Sequence, residues 1–145
     1  MKLRSAIEDD LKDIYNLICD LEECNIDFHD FSQIYIDNIT DKDIHYIVAE
    51  DMGRLIGFIS LHIQKLLHHT GRISEIQELI VTDNYRGLGV GKVLFEEAKR
   101  ISIEMECLQL EVCCNSKREK SHMFYLSQNM KQTHYKFTDD LKLHQ

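Results

Sequence analysis

The sequence predicts an α/β fold, because stretches with the two-residue period of strands alternate with stretches that have the 3.6-residue period of helices. The clearest helix runs from Val90 to Ile103, and its apolar residues form one stripe. The clearest strand pattern has Leu108, Leu110 and Val112 alternating with polar or small residues. The order of elements along the chain is helices, hairpin, strand, helix, strand, helix, strand.

The first half of the chain supplies the helices and the hairpin. Apolar residues recur at helical spacing from Leu11 to Leu21, directly after two acidic residues that suit a helix N-terminus, and a shorter helix is expected over 31–39. The connection over 24–30 either links the two helices or covers a site. Residues 45–50 and 54–64 are rich in β-formers and flank the turn residues 51–53, so we expect a hairpin, followed by a strand over 73–81.

Composition points to one domain over residues 1–145, with 43% hydrophobic and 29% charged residues and no proline. Seventeen basic against 25 acidic residues leave a formal charge of −8. Such a charge repels a nucleic-acid backbone, so we expect no nucleic-acid partner and disfavour a DNA-binding regulator. A cationic amine would instead be attracted.

The cellular compartment is inferred from apolar segments, from the N-terminal sequence and from the cysteines. No apolar stretch reaches membrane-spanning length and the N-terminus has no signal-peptide pattern, so we expect no membrane partner. Five cysteines form an odd set without C-x-x-C spacing, which indicates reduced thiols. We therefore expect a cytoplasmic protein without a structural zinc site.

A glycine-rich segment, Arg86-Gly87-Leu88-Gly89-Val90-Gly91, lies between the strand ending near Val81 and the helix beginning at Val90. Backbone N–H groups at a helix N-terminus, together with the helix dipole, favour an anion, and glycines allow a pyrophosphate to approach the backbone. The spacing differs from the dinucleotide and nucleoside-triphosphate motifs. The alternative is that these glycines only form a turn and allow close helix packing.

The pattern Arg86-x-x-Gly89-x-Gly91 after a strand resembles the coenzyme A pyrophosphate motif of the GNAT acetyltransferase superfamily. The segments 3–6, 48–58 and 124–125, with Asn115, resemble other parts of that family. The resemblance implies a single GNAT-like domain, with a mixed and mostly antiparallel sheet whose central strands splay after Glu78, flanked by helices. It also implies that acetyl-CoA is bound by these residues: Leu79, Ile80, Val81, Arg86, Gly87, Leu88, Gly89, Val90, Gly91, Lys92, Asn115 and Tyr125.

Several segments resemble, more narrowly, the aminoalkylphosphonate N-acetyltransferases: 28–31, 61–64, 67–69, 75–79, 124–126 and 134–138. An aminoalkylphosphonate is therefore the first hypothesis for the acceptor, with a polyamine, an aminoglycoside or a protein amine as alternatives. A non-catalytic acyl-CoA sensor is the hypothesis from another class. One departure from the family is Asn129-Met130 in place of Gly-Phe, although Asn also tolerates a left-handed helix C-terminus.

Acetyl transfer to an alkylamine needs a base, because such an amine has a pKa of about 10.4 and is protonated at neutral pH. Glu75 and Glu78 lie on the strand before the glycine loop, and their odd spacing predicts opposite faces. The resemblance ranks Glu75 first as the base. The alternative for either is a solvated or ion-paired carboxylate.

By resemblance, Tyr125 lies beside the coenzyme A sulfur and returns a proton to the thiolate; its alternative role is packing. Asn115 either contacts the cofactor or caps the following helix. Lys92 either reaches a phosphate or is solvated. Cys113 and Cys114 lack a His-Asn pattern, so a cysteine nucleophile is disfavoured.

Histidines crowd the region before Glu75, but His68 and His69 would point to opposite faces of a strand and no metal-binding motif is present. We expect no metal. If the acceptor carries a phosphonate, cationic and imidazole donors suit its oxygens. The hypothetical substrate-binding residues are His29, His68, His69, Arg72 and Arg118. Relatives in this family often dimerise, so a homodimer stays open.

Overall fold

The computed structural model describes residues 1–144, which divide into two compact units, Met1–Val112 and the segment from Cys113 onward. The first unit contains a five-stranded sheet. Its strands are β1 (Lys2–Ser5), β2 (Ile44–Asp51), β3 (Arg54–Leu66), β4 (Gly71–Val81) and β5 (Gln109–Val112). Its helices are α1 (Leu11–Glu22), α2 (Phe28–Ile39) and α3 (Val90–Glu104), and the second unit contains α4 (Glu119–Ser127).

The sheet has the strand order β1-β2-β3-β4-β5. Neighbouring strands are antiparallel from β1 to β4, whereas β5 runs parallel to β4. The predicted mixed, mostly antiparallel α/β fold is therefore confirmed. The predicted hairpin is β2–β3, and its turn places Met52 and Gly53 at φ 50° and 75°, which is the turn that matches strand twist.

The two faces of the sheet pack against different helices. One face meets α1 and α2 in a core whose members are buried apolar residues: Ala6, Ile14, Leu17, Ile18, Tyr35, Val48, Phe58 and Ile80. The other face meets α3 so closely that a Cβ on Gly57 would lie 2.9 Å from Leu94 Cδ1. The glycine thus lets α3 approach β3, which fixes the helix beside the end of β4.

A bulge interrupts β4 next to its centre. Ser60 is opposite Glu78 and Leu61 is opposite Ile76, so Gln77 is the extra residue. β5 pairs with β4 only as far as Ile76. Among the described residues, positions 77–81 of β4 have no strand neighbour on that side. The predicted splay of the central strands is present, and it begins two residues before Glu78.

Two sequence predictions need correction. Helix α2 begins at Phe28 and not near Phe31, because the Asp27 carboxylate accepts the Asp30 N–H at 2.9 Å and caps the helix earlier. The predicted last strand is wrong within the described residues, where 131–140 form neither helix nor strand. Although Tyr135 and Phe137 alternate as in a strand, every side chain of this segment is exposed, so no buried face stabilises strand pairing.

The turn after α4 agrees with prediction. Asn129 has φ 65°, so the asparagine does adopt the left-handed conformation expected at this helix end. In the part of the chain that the structure describes, no helix is long and apolar enough to cross a membrane.

Candidate active site

The open half of β4 presents unpaired backbone groups. The N–H groups of Glu78 and Thr82 point toward β3, where they donate to Ser60 Oγ and Ile56 O at 2.9 Å each. Because donors alternate in direction along an antiparallel strand, the N–H groups of Leu79 and Val81 point to the side where β5 has ended. These two groups can therefore donate to a ligand lying along the strand.

The glycine segment adopts a conformation that side chains would hinder. Gly87 and Gly89 have φ 76° and 87°, and a Cβ on either would meet no atom within 4 Å. Close helix packing is therefore not the reason for these two glycines. Helix α3 begins at Val90, and its first intrahelical bond runs from Val93 N–H to Gly89 O at 3.1 Å.

The N–H groups of Val90, Gly91 and Lys92 precede that bond, so they have no acceptor within the helix. The side chains of Leu88 and Lys92 are exposed. Open space over positive-φ glycines, with N–H groups at a helix N-terminus, is the arrangement that a phosphate group needs.

Arg86 joins the glycine segment to the open strand. Its Nε donates to Val81 O at 3.1 Å, and its guanidinium lies 3.0 Å from the Asp83 carboxylate. Arg86 also borders a cleft of about 640 Å³ that extends from the end of β4 to the C-terminal end of α1. The cleft is lined by Leu17, Cys19, Asp20, Glu23, Cys24, Asn25, Ile80, Val81, Thr82, Asp83 and Arg86.

Glu75 and Glu78 lie on the same face of the sheet, and the predicted opposite faces are wrong. Glu75 is opposite His62 and Glu78 is opposite Ser60, and these two β3 residues share a face because they are two apart. The bulge residue Gln77 shifts the alternation, and its amide donates to Glu75 Oε1 at 2.5 Å. The prediction assumed a regular strand.

Glu78 is held by a serine that sequence reasoning missed. The Ser60 hydroxyl is fully buried, accepts the Glu78 N–H and donates to Glu78 Oε1. Tyr46 lies opposite Ser60 on β2, and its pKa is raised chiefly by burial and also by the negative charge of Glu78. A lone serine within the apolar run of β3 was the available signal, since buried hydroxyls need a partner.

The proposed substrate-binding residues of the first unit do not converge. His69 Nε2 lies 4.0 Å from Glu111 Oε2, and Glu111 is opposite Glu75, so His69 belongs near the glutamate face. Arg72 instead lies on the α3 side, where its guanidinium donates to Met105 O at 3.4 Å. His29, in the first turn of α2, and His68 are exposed.

The second unit holds the remaining predicted residues. Tyr125 is half-buried in α4, and burial raises its pKa to about 12. Asn115 is not a helix cap, because the residue preceding α4 is Arg118. The Asn115 side chain instead accepts the Lys117 N–H at 2.9 Å, which shapes the loop before the helix.

Cysteine and metal chemistry find little support. Burial raises the pKa of the Cys114 thiol, which favours the unreactive protonated form. Among the side chains that the structure describes, no three His, Cys, Asp or Glu are grouped so that they could hold a metal ion. The expectation of no metal stays a prediction.

Comparison with known proteins places this geometry in context. Residues 8–130 match the model of the acetyltransferase (GNAT) family. The chain is 38% identical to an aminoalkylphosphonate N-acetyltransferase from Salmonella typhimurium, covering 97% of this chain and 91% of that protein. It is 35% identical over 74 residues to a glucosamine 6-phosphate N-acetyltransferase from Trypanosoma brucei brucei, covering 50% of this chain and 48% of that protein.

Solved structures share the fold. An aminoglycoside 6'-N-acetyltransferase from Acinetobacter haemolyticus superposes with a TM-score of 0.84 at 17% identity, covering 97% of each chain. A protein from Bacillus halodurans described as a transcriptional regulator gives a TM-score of 0.89 at 19% identity, covering 96% of this chain and 98% of the other. At such identities the likeness concerns the fold alone.

Proposed function

Because the chain belongs to the GNAT acetyltransferase family and is an acetyl-CoA-dependent N-acetyltransferase, we propose that it acetylates the primary amine of a small aminoalkylphosphonate. The observation that carries the proposal is the 38% identity, over 97% of this chain, to an aminoalkylphosphonate N-acetyltransferase, and two glutamates on one face of β4 offer candidate bases for the reaction. Acceptor and donor would meet there in one ternary complex, with direct attack by the amine.

The first unit offers groups that fit acetyl-CoA. The cradle over Gly87 and Gly89, with the N–H groups that begin α3, suits the pyrophosphate. The N–H groups of Leu79 and Val81 suit the pantetheine amides or the acetyl oxygen. Acetyl-CoA supplies the activated acetyl group as a thioester. Lys92 and Asn115 remain proposed contacts to its polar parts.

On the acceptor side, the chain must remove a proton from an ammonium group. A carboxylate on the face of Glu75 and Glu78 can accept that proton directly or through a water molecule. Both side chains also provide negative charge that favours binding of the ammonium form beforehand.

On the donor side, Tyr125 is proposed to protonate the leaving thiolate. Burial raises its pKa to about 12, so the phenol stays protonated at neutral pH and retains a proton to give.

Two observations support an acceptor that carries a phosphonate group. One is the relative of 38% identity, and the other is the pair of imidazoles, His62 and His69, on or near the sheet face that carries Glu75 and Glu78. A protonated imidazole can donate a charge-assisted hydrogen bond to a phosphonate oxygen. Arg118, His29 and His68 remain proposed contacts, whereas Arg72 points toward α3.

A second acceptor class is favoured by the same face. Glu75, Glu78 and Glu111 place three carboxylates there, which suits an amine with a second cationic group, as in a polyamine. An anionic acceptor would meet repulsion from these carboxylates unless the imidazoles are protonated.

The test is an amine panel in which free thiol release from acetyl-CoA is followed. Aminomethyl- and aminoethylphosphonate are compared with propylamine, which lacks the anionic group, and with putrescine, which carries a second cation. Turnover at least tenfold more efficient with the phosphonates supports the proposal. Preference for putrescine supports the second class, and acetyl-CoA binding without thiol release from any amine supports a sensor.

A further inference from the structure

The C-terminal end of α1 is closed by the two backbone hydrogen bonds of a Schellman motif. Glu23 is left-handed, with φ 55° and ψ 32°, and its N–H donates to Asp20 O at 3.3 Å. The N–H of Cys24 donates to Cys19 O, also at 3.3 Å. In this motif the residue after the left-handed position usually makes an apolar contact with the residue five positions before it. Here the two positions that this contact joins are both cysteines.

The backbone around the two cysteines suits a covalent bridge. A disulfide requires its two Cα atoms to lie close together, and a direct backbone hydrogen bond joins Cys24 to Cys19. The chain after Cys24 is also held in place, because the Tyr15 hydroxyl of α1 donates to Ile26 O at 2.5 Å. Both cysteines are free thiols in the structure. A bridge between them therefore needs rotation of side chains and no refolding of the connection.

The two thiols differ in their access to solvent. Cys24 is exposed, so a reagent in solution can reach it. Cys19 is half-buried beside Tyr15, whose pKa is raised chiefly by its hydrogen bond with the Cys19 side chain. By contrast, burial raises the pKa of the Cys107 and Cys114 thiols, which favours the protonated form that does not attack a disulfide.

Both thiols line the cleft of about 640 Å³ that Arg86 borders. Cys19 and Cys24 belong to its α1 wall, whereas Val81 and Thr82 belong to the wall at the end of β4. A ligand that occupies the cleft would lie against the thiols and cover them. The state of the thiols and the occupancy of the cleft are therefore expected to depend on each other.

We propose that Cys19 and Cys24 are a redox-active pair that closes a reversible disulfide in the wall of this cleft, with a low-molecular-weight disulfide as oxidant. The Cys24 thiolate attacks one sulfur of the oxidant, which forms a mixed disulfide and releases one thiol. The Cys19 thiolate then attacks the Cys24 sulfur, which forms the bridge and releases the second thiol. Two protein thiols are oxidised, and the oxidant is reduced to two thiols that take up the two protons.

Formation of the bridge is independent of the proposed function, whereas its effect on catalysis rests on acetyl-CoA occupying the cleft. The bridge turns both sulfur atoms away from the positions that a ligand fitted to the dithiol wall contacts. Such a ligand should bind the bridged protein more weakly. By thermodynamic linkage, the ligand then shifts the equilibrium toward the dithiol by the same factor.

The first test equilibrates the full chain in glutathione redox buffers of different ratios. Acid quenching and alkylation of the remaining thiols are followed by digestion with an endoproteinase that cleaves after glutamate. Because Glu22 and Glu23 lie between the two cysteines, Cys19 and Cys24 leave on separate peptides unless they are bridged. Mass spectrometry should find the linked peptides in the unaltered protein.

The variants for this test are single serine substitutions. Cys19→Ser and Cys24→Ser should each abolish the linked peptides. Cys107→Ser is the matched control, since Cys107 belongs to the same unit but its thiol interacts with Ser74. This control should form the bridge to the same extent as the unaltered protein.

The second test repeats the equilibration with saturating desulfo-coenzyme A, which has the pyrophosphate and pantetheine groups but no sulfur to exchange. The equilibrium constant should move toward the dithiol by about fivefold or more. Isothermal titration of the bridged protein should show a dissociation constant for desulfo-coenzyme A that is higher by the same factor.

The outcomes separate the pair from the proposed function. Accumulation of a glutathione adduct on Cys24 alone, or linkage through Cys107, Cys113 or Cys114 instead, would overturn the redox-active pair. If desulfo-coenzyme A binds but leaves the equilibrium unchanged, the coupling between the pair and the cleft is overturned. If it does not bind the reduced protein at all, the proposed function fails and the coupling with it, while the linked Cys19 and Cys24 peptides would still establish the bridge.

Discussion

Asp10 and Glu78 are carboxylates of the same unit that are held in different ways. Asp10 receives two hydrogen bonds from the Arg4 guanidinium, at 2.8 and 3.0 Å, and one from the Ile7 N–H at 2.8 Å. Glu78 accepts a hydrogen bond from the neutral hydroxyl of Ser60. The cationic partner lowers the pKa of Asp10, with Arg4 as the main cause.

The difference separates two uses of a carboxylate. A carboxylate bound to a guanidinium stays ionised over the physiological range, so it can link β1 to the start of α1 but cannot exchange protons there. A carboxylate oriented by a neutral hydroxyl, as Glu78 is by Ser60, is fixed in place without an ion pair. The following predictions test this division between groups that hold the fold and groups that serve the reaction.

The largest effect is expected for Tyr125→Phe, which removes the proposed proton donor. We expect kcat to fall by about 100-fold or more with an unchanged dissociation constant for acetyl-CoA, because only proton transfer is lost. Steady-state kinetics and isothermal titration check this. Tyr35→Phe is the control, since its buried hydroxyl donates to Ile7 O at 2.6 Å and should affect stability alone. Unchanged kcat in Tyr125→Phe would contradict the role.

Asp10→Asn tests the carboxylate that holds the fold. Losing charge-assisted bonds to Arg4 should lower the free energy of unfolding by about 2 kcal/mol at pH 7. Urea unfolding measures this, and kcat of the folded variant should match that of the unaltered enzyme. A large loss of kcat at unchanged stability would contradict the assignment of Asp10 to the fold and not to the reaction.

The pH dependence of stability follows from the same residue. Because the pKa of Asp10 is lowered in the folded state, its stabilisation is fully present above its ordinary value of 3.8. The stabilisation is lost as pH falls through the lower folded value. Asp10→Asn should therefore differ from the unaltered protein at pH 6 and progressively less below pH 4 in unfolding experiments.

The smallest effect is expected at the glycine loop. Gly89→Ala places a side chain at φ 87°, which should cost about 1 kcal/mol of stability and weaken acetyl-CoA binding about tenfold. Gly53→Ala is the matched control, since Gly53 has φ 75° and similar open space but lies in the β2–β3 turn. It should lose comparable stability with unchanged acetyl-CoA affinity. If both variants bound acetyl-CoA with the same affinity, the glycine loop would not be part of the binding site.

Sequence reasoning predicted the parts of the fold that local patterns determine. Helix α3 begins at Val90, as its apolar stripe and the preceding glycines indicate, and β2–β3 forms the hairpin that the turn residues predict. The glycine loop was predicted as an anion site, and its positive φ angles agree with that reading. These features depend on neighbours in the sequence.

Features that depend on distant pairing were not predictable in the same way. The bulge at Gln77 arises from the register between β3 and β4, and nothing local marks it, so Glu75 and Glu78 were assigned to opposite faces. The buried partner of Glu78, Ser60, lies 18 residues away. The last predicted strand was wrong because the side chains of segment 131–140, including Tyr135 and Phe137, are exposed and no burial stabilises a strand there.

The bulge also makes residue count along β4 a determinant of the site. In a regular strand the three-residue spacing would place Glu75 and Glu78 on opposite faces, so a strand without the bulge keeps both glutamates on one face only if it also lacks one residue between them. Substituting Gln77, whose side chain is exposed, leaves that count intact. Comparisons among relatives should therefore weigh a gap at this position more heavily than a change of side chain.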